Sequence, residues 1–346
     1  RKRKTHKPGR GIGVGCYSFI SGGVFNWFNT SYPFSSAEIR AFADGTVHLL
    51  TMASDIGQGS DTTLKQILAE ELGLPLEDVN LITADTELTA NDPGSYSMVS
   101  TFAGGNAARL AAIDAREKLF RIAAEALEAN PADLVLKDRK IFVAGSPDRF
   151  LPLTKVVRMG LIQGRPVSGE GHFAPKVDHR REWVSNPHGQ LSEAFSFGAT
   201  VAEVEVDPDT GQVRVLEVAA AQDCGFAINP MVVEGQFEGS VAMGGQGGML
   251  TEYHFWDGGR CMNPTQLEYK VPLAADMPRI HPIIVESNDP GGPYGAKEAG
   301  MSIAMSAAQA YASAIADAIG VTITDFPMTP DKILEAIEKR RQEERK

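Results

Sequence analysis

Cysteine is scarce in this chain of 346 residues: Cys16, Cys224 and Cys261 are odd in number and far apart, so neither a disulfide framework nor a CxxC metal pair is available. An iron–sulfur cluster needs four ligands, and this chain alone cannot supply them. The seven histidines are scattered without an i, i+4 or HxH grouping, which argues against a metal held by protein side chains. No apolar run approaches the ~18 residues of a membrane span and no secretory h-region is present, so a soluble, cytoplasmic protein with no membrane partner is expected. Basic residues are in deficit too, 33 against 44 acidic ones for a net charge of −11. Such a chain is a poor partner for nucleic-acid phosphates, which are held by basic faces. The exception, Arg1-Lys2-Arg3-Lys4, reads as a solvated arm, a processing scar or the end of a longer linker. With no Met at position 1, a missing N-terminus is compatible with the sequence.

What is present is a globular composition, 43% hydrophobic and 22% charged, able to bury a sizeable core. At ~150 residues per domain, one or two domains are expected. Glycine is in surplus: 35 residues, about a tenth of the chain against a usual ~7%. That excess asks for tight turns or close backbone approaches.

Periodicity predicts an α+β chain of two α/β subdomains built from hairpin-plus-helix units. Residues 37–43 and 46–53 alternate around Asp44-Gly45 and predict a hairpin. A helix follows Ser60, with a capping residue at its start and Gly73 as its stop. A second helix is expected over about 106–129, then a short hairpin around Asp138-Arg139. Periodicity is lost near Gly164 and returns after Gln190, which suggests a long connecting loop. Residues 199–206 and 212–221 alternate across Pro208-Asp209-Thr210-Gly211 as another hairpin. A glycine-rich helix is expected over about 229–251, an Ala/Ser helix over 303–319, and a last helix from Pro330, with Thr329 as a possible cap. The expected division is therefore 1–9 as a basic arm or linker, 10–165 as a first subdomain, 166–198 as a connecting region, and 199–346 as a second subdomain.

Four glycine-bearing segments carry candidate chemistry. Asp55-Ile56-Gly57-Gln58-Gly59-Ser60 lies between a strand and a helix, where amides and a helix dipole could hold a phosphate; by spacing alone it reads equally as a turn with Gln58 in solvent. Asp92-Pro93-Gly94-Ser95-Tyr96-Ser97, leading to Gly104-Gly105-Asn106, could let backbone meet a ligand. Asn229-Pro230 followed by Glu234-Gly235-Gln236-Phe237-Glu238-Gly239 sets amide and carboxylate groups beside glycines on a helix expected to be largely buried. Gly291-Gly292-Pro293-Tyr294-Gly295-Ala296-Lys297-Glu298-Ala299-Gly300 delivers a carboxylate to the start of the Ala/Ser helix. Glu298 could equally be a helix-dipole complement or a surface neighbour of Lys297. The run Gly9-Arg10-Gly11-Ile12-Gly13-Val14-Gly15 lacks a preceding strand and a following helix, so a dinucleotide fingerprint is not supported.

In order and together, from about Arg10 to Asp325, these segments resemble the molybdenum hydroxylases of the xanthine oxidase and aldehyde oxidoreductase family, specifically the C-terminal half of their molybdenum-binding large subunit. Residues 55–97 and 223–300 look closest to the branch that includes hydroxybenzoyl-CoA reductase. The resemblance implies a molybdenum–molybdopterin cofactor in its cytosine dinucleotide form. It places Gln58, within Gly57-Gln58-Gly59-Ser60, beside that cofactor with adjacent amides suited to phosphates. It puts the backbone of Ser95, Tyr96, Ser97 and Met98 near the metal, has Gln236 hydrogen-bond the pterin, and makes Glu298 the catalytic general base in a hydroxylation whose oxygen comes from water.

The departures are informative as well. Family large subunits are about twice this length, and the N-terminal half with its Gly-Gly-Phe-Gly type loop is absent. A fragment, or a large subunit split between two chains as in the nicotinate dehydrogenase medium subunit that this chain resembles, is implied. The partners would be a second molybdopterin-binding subunit or the missing half, a [2Fe-2S] subunit and an FAD subunit. Phe25, Trp27, Phe28 and Tyr32 could line a funnel for an aromatic substrate, or be plain core. The leading expectation is hydroxylation of a nicotinate-like or purine-like ring. Its alternatives are reductive dehydroxylation of an aromatic thioester, as in hydroxybenzoyl-CoA reductase, and a non-catalytic scaffold subunit in which Glu298 is structural.

Overall fold

The computed structural model describes residues 7–23, 34–90, 92, 94–176, 190 and 192–345. Two bodies, each a four-stranded sheet covered by helices, make up the α+β chain. The chain starts with β1 (Arg10–Ser21), an edge strand of the second body's sheet. The first body then follows. The strands β2 (Ser35–Ala41) and β3 (Val47–Thr51) form the expected antiparallel hairpin. From β3, helix α1 (Ser60–Leu72) crosses to β4 (Val79–Thr83), parallel to β3. A π-helical turn, Ser100–Gly104, leads into α2 (Gly105–Leu127). The small meander β5 (Leu134–Lys137), β6 (Lys140–Val143) and β7 (Ser146–Pro152) precedes α3 (Leu153–Ile162) and β8 (Ser168–Phe173), which closes the sheet against β2 in the order β4-β3-β2-β8. Leu49, Leu64, Leu68, Ala107, Ala111 and Leu153, each fully buried, mark its core.

The second body contains β9 (Ala194–Val206), β10 (Val213–Asp223), α4 (Pro230–Val241) with a π-helical extension over Ala242–Leu250, the two-residue strands β11 (Trp256–Asp257) and β12 (Arg260–Cys261), β13 (Arg279–Val285), α5 (Met301–Ile319) and α6 (Pro330–Glu344). Its sheet runs β1-β9-β10-β13, with only the β10–β13 pair parallel. Helix α5 lies across β1 and β9, and Ile303, Ala307, Ala310, Tyr311 and Ala314 fill the space beneath it.

Two boundaries differ from the sequence reading. Residues 10–21, expected in the first subdomain, all pair with β9, from Arg10 opposite Glu205 to Ser21 opposite Ala194. The connecting region 166–198 contains β8 and the start of β9; its glycines and polar residues hid a strand. Gly11, Gly13 and Gly15 explain both the strand and the glycine surplus. A Cβ on Gly11 would lie 2.0 Å from the Ala314 carbonyl oxygen, one on Gly13 2.0 Å from that of Ala310, and one on Gly15 2.1 Å from that of Ser306. The strand backbone therefore rests directly on successive turns of α5, an approach that only a residue without a side chain permits. Gly169 and Gly171 of β8 do the same against Ala111 and Ala107 of α2, at 2.1 and 2.0 Å. These glycines serve helix-on-sheet packing.

Two helix ends follow local rules. Gly73 adopts the left-handed conformation that ends α1, and the Asn229 side chain accepts the Val232 amide at the start of α4. Thr329 precedes Pro330 but its hydroxyl caps no helix amide. Helix α4 is not largely buried as expected: only Phe237, Ser240 and Val241 are, and Gly235 and Gly239 face open space.

Candidate functional site

The loop after β3 shapes one side of a cavity of about 560 Å3. Asp55 is the organising residue. Its carboxylate accepts the amides of Gly57 at 2.8 Å, Gly59 at 3.3 Å and Asp61 at 3.1 Å, and so satisfies the start of α1 in place of a cap from Ser60 or Asp61. Burial alone would raise the Asp55 carboxyl, but these amides outweigh it and hold it below the usual carboxylate range. The amides expected to serve a phosphate are thus already taken by a carboxylate. Gly57 and Gly59 flank the cavity without lining it. Gln58 does line it, with its carboxamide held in place: Nε2 donates to the Ser54 carbonyl and Ser60 Oγ, and Oε1 accepts the Ile56 amide.

The second wall is the loop of Ser95, Tyr96, Ser97 and Met98, all four of which line the cavity. Ser97 and Met98 adopt positive φ, 47° and 59°, a costly conformation for side-chain-bearing residues that persists where the surroundings impose it. The Ser97 carbonyl accepts the Gly22 amide, the Met98 carbonyl accepts the Phe102 amide, and Ser95 Oγ donates to the Ser54 carbonyl at 2.7 Å. The third wall is α4, where Gln236 lines the cavity and its carboxamide has no hydrogen-bond partner among the described residues.

The fourth wall is the turn into α5. Glu298 is 0% exposed. Its Oε1 accepts the Ser302 amide at 3.2 Å and the Ser302 hydroxyl, and its Oε2 accepts Gln222 Nε2. Burial is the dominant influence and pushes its carboxyl above the ordinary range; Ser302, Ser196 and the Lys297 charge pull the other way without overcoming it. Lys297 is no surface neighbour of Glu298. It is buried, and its Nζ donates to Asp223 Oδ2 at 2.7 Å and the Phe195 carbonyl at 2.9 Å. Gly300, at φ 102°, sits where a Cβ would lie 2.7 Å from Gln236 Cβ, so the third and fourth walls touch at a position only glycine fits.

The Gly291–Gly300 run belongs to the second body but is clamped onto the first. Tyr294 Oη donates to Glu71 at 2.7 Å, beside Arg109 at 3.0 Å and Arg116 at 2.7 Å, and Asn106 Nδ2 donates to the Gly291 carbonyl at 2.8 Å. Burial would raise Glu71, but Tyr294 and the two arginines outweigh it and keep its carboxyl below the usual range.

The structure therefore brings Gln58, Ser60, Ser95, Tyr96, Ser97, Met98, Gln236 and Glu298 to one cavity from four distant stretches of chain. Phe25, Trp27, Phe28 and Tyr32 lie outside the described residues. Gln222, Ser302, Ser196 and Tyr17, which surround Glu298, were not singled out from the sequence. One signal for Gln222 existed: it continues the inward alternation of Val218 and Ala220 on β10, all three 0% exposed, and a polar residue at such a position asks for a buried partner.

With this geometry in hand, the comparisons are decisive for the family. Residues 1–278 match the molybdopterin cofactor-binding domain. This chain belongs to that family. The molybdopterin cofactor-binding chain is 31% identical over 336 residues to the 6-hydroxypseudooxynicotine dehydrogenase complex subunit gamma of Paenarthrobacter nicotinovorans, covering 96% of this chain and 40% of the relative. It is also 31% identical over 329 residues to the xanthine dehydrogenase molybdenum-binding subunit of Escherichia coli O157:H7, covering 94% and 42%. Its fold matches the crystal structure of quinoline 2-oxidoreductase from Pseudomonas putida 86 with a TM-score of 0.83 at 29% identity, over 96% of this chain and 42% of that one. The resemblance to molybdenum-binding large subunits of the xanthine oxidase family is borne out, and the chain spans about two-fifths of the length of the relatives it matches.

The residues present fit such a group. Among the described residues there is no group of three or more His, Cys, Asp or Glu that could hold a metal ion. The cavity offers hydroxyls, a strained backbone loop and the uncommitted Gln236 carboxamide, groups that bind a polar heterocycle. Among the described residues, no helix is long and apolar enough to cross a membrane.

Proposed function

We propose that this chain is the Glu298-bearing, molybdopterin-binding part of the large subunit of a molybdenum hydroxylase acting on an aromatic N-heterocycle, nicotinate-like or purine-like. The observation that carries the reading is the convergence of Gln58, the Ser95–Met98 loop, Gln236 and Glu298 on one cavity in a chain of the molybdopterin cofactor-binding family. Its relatives, a 6-hydroxypseudooxynicotine dehydrogenase, a xanthine dehydrogenase and a quinoline oxidoreductase, support a nitrogen-containing aromatic substrate. The cofactor, in its cytosine dinucleotide form, supplies the two-electron redox chemistry when bound. The Gln236 carboxamide would hold its pterin, and the Ser95–Met98 backbone would pass near the metal.

This chain's own part is to bind, exclude water and manage a proton. Phe19, Ile56, Met98, Phe226 and Met301 give the cavity apolar walls suited to a flat ring. Glu298 accepts the proton released as water-derived oxygen joins the ring carbon; its raised carboxyl brings it nearer the working pH of a general base. Electrons would leave through [2Fe-2S] and FAD subunits, and the cavity would be completed by the remaining part of the large subunit, in keeping with the two-fifths coverage.

The test is purification of the native protein with its associated chains, metal analysis, and dye reduction with a panel of nicotinate-type, quinoline-type and purine-type rings. Molybdenum with iron–sulfur and flavin chains, ring-dependent dye reduction, and near-complete loss of turnover in Glu298→Gln with cofactor retained are expected. A chain without molybdenum, or full turnover in Glu298→Gln, would overturn the reading.

A further inference from the structure

The environment of Glu298 contains one side chain that binds three separate parts of the same turn. Gln222, at the end of β10 and 0% exposed, donates from Nε2 to Glu298 Oε2, to the Glu298 carbonyl at 3.1 Å and to Ser196 Oγ at 3.1 Å, while its Oε1 accepts the Gly300 amide at 2.9 Å. The orientation of the carboxamide follows from these neighbours. Reversed, it would set an NH2 against the Gly300 N–H and a carbonyl against a carbonyl and a carboxylate.

We infer that Gln222 is a positioning residue: its carboxamide fixes the Glu298 carboxylate to the entrance of α5 and to the end of β10, so that the acid–base group is held by the sheet. This rests on the reading of Glu298 as the general base. A glutamate has three rotatable side-chain bonds, and a base acts efficiently only from a fixed position near the proton it takes. Ser302 engages Oε1 from the first turn of α5, which follows Glu298 in the chain; Gln222 engages Oε2 from the sheet. Ser196 Oγ, bound in turn to the Asp223 carbonyl at 2.8 Å, steadies Gln222.

A donor to the charged form also favours ionisation. The other titratable or charged groups acting on Glu298 are Tyr17 on β1, Cys224 just after β10, and Lys297 in its own turn. Tyr17 is pushed up by burial and by the Glu298 charge, and burial pushes the Cys224 thiol up to about 11, so neither ionises near neutrality. Lys297 is committed to Asp223. Gln222 is thus a neutral donor whose removal changes no charge.

The experiment compares wild type, Gln222→Leu and Gln222→His in the full assembly. The pH-dependent infrared band of the protonated Glu298 carboxyl is identified by its absence in Glu298→Gln. Loss of a hydrogen bond to a charged acceptor makes Glu298 roughly ten- to hundredfold weaker as an acid in Gln222→Leu; its titration moves to higher pH, and kcat falls with KM little changed. Gln222→His, which restores a donor, returns the titration towards wild type. A Glu298 titration in Gln222→Leu within twofold of wild type overturns the proposal. Should that variant fail to fold, Gln222→Asn, which draws the carboxamide back from Glu298 by one methylene and keeps its polarity, is expected to give a shift in the same direction, and no shift overturns the proposal equally. Retained activity in Glu298→Gln would defeat the base assignment alone, because the infrared titration is read independently of turnover.

Discussion

Substitution of Gly13 by alanine tests the packing logic of the second body most directly. A Cβ at this position lies 2.0 Å from the Ala310 carbonyl oxygen and 2.2 Å from the Ala314 amide nitrogen, where an ordinary carbon–oxygen contact is about 3.3 Å. Roughly 1.3 Å must be found by moving backbone against backbone, since no flexible side chain stands in the way. The helix cannot tilt away locally, because Gly11 and Gly15 pin the turns on either side, with would-be Cβ distances of 2.0 and 2.1 Å. The cost falls at or beyond the upper end of overpacking, about 3 kcal/mol, a large share of a typical total stability of about 5–15 kcal/mol. Denaturant unfolding with parallel slopes measures it. Gly235→Ala is the matched control: this glycine is inside α4 with nothing within 4 Å of its would-be Cβ, so alanine is expected to stabilise by about 0.5–1 kcal/mol. A Gly13→Ala protein within about 0.5 kcal/mol of wild type would refute the account of β1, as would equal losses in both variants.

Other consequences are open to measurement. Glu71→Ala removes the carboxylate shared by Arg109, Arg116 and Tyr294; because both arginines are partly in solvent, a loss of about 2 kcal/mol is expected. The Glu71 carboxyl is held below its unfolded range, so its contribution is present above that range and lost as pH falls through the lowered folded value, and the gap between wild type and Glu71→Gln should close in acid. Glu298 has the opposite sign. Its folded carboxyl is raised, so its contribution is full below the unfolded value and lost as pH rises through the folded one. The stability of Glu298→Gln relative to wild type should therefore improve as pH rises from acid through the folded Glu298 titration; a difference independent of pH in denaturant unfolding would contradict the shift. Alkylation near neutral pH, mapped by mass spectrometry, should modify the exposed Cys16 and spare Cys224, whose thiol burial raises to about 11. Equal rates at both would show that the cavity wall is open.

Where local periodicity and turn chemistry suffice, the chain declares its structure. Asp44-Gly45 marks the β2–β3 hairpin, Gly73 ends α1, Asn229 caps α4, and the Ala/Ser run forms α5. The candidate site was legible for a related reason. Gln58, the Ser95–Met98 loop, Gln236 and Glu298 lie within glycine-bearing segments that stand out one by one, and their order along the chain resembles a known family. What these segments share in space was left to the tertiary structure. The glycines of β1 fit no dinucleotide fingerprint in sequence, and what they do is decided by α5, which lies against the strand closely enough to exclude a Cβ at Gly11, Gly13 and Gly15. The amides around Gln58 look free until Asp55 folds back on them. Gln222 carries no motif at all; it acquires its place because β10 ends beside the turn into α5, and a buried carboxylate draws its donors from whatever element the fold sets against it.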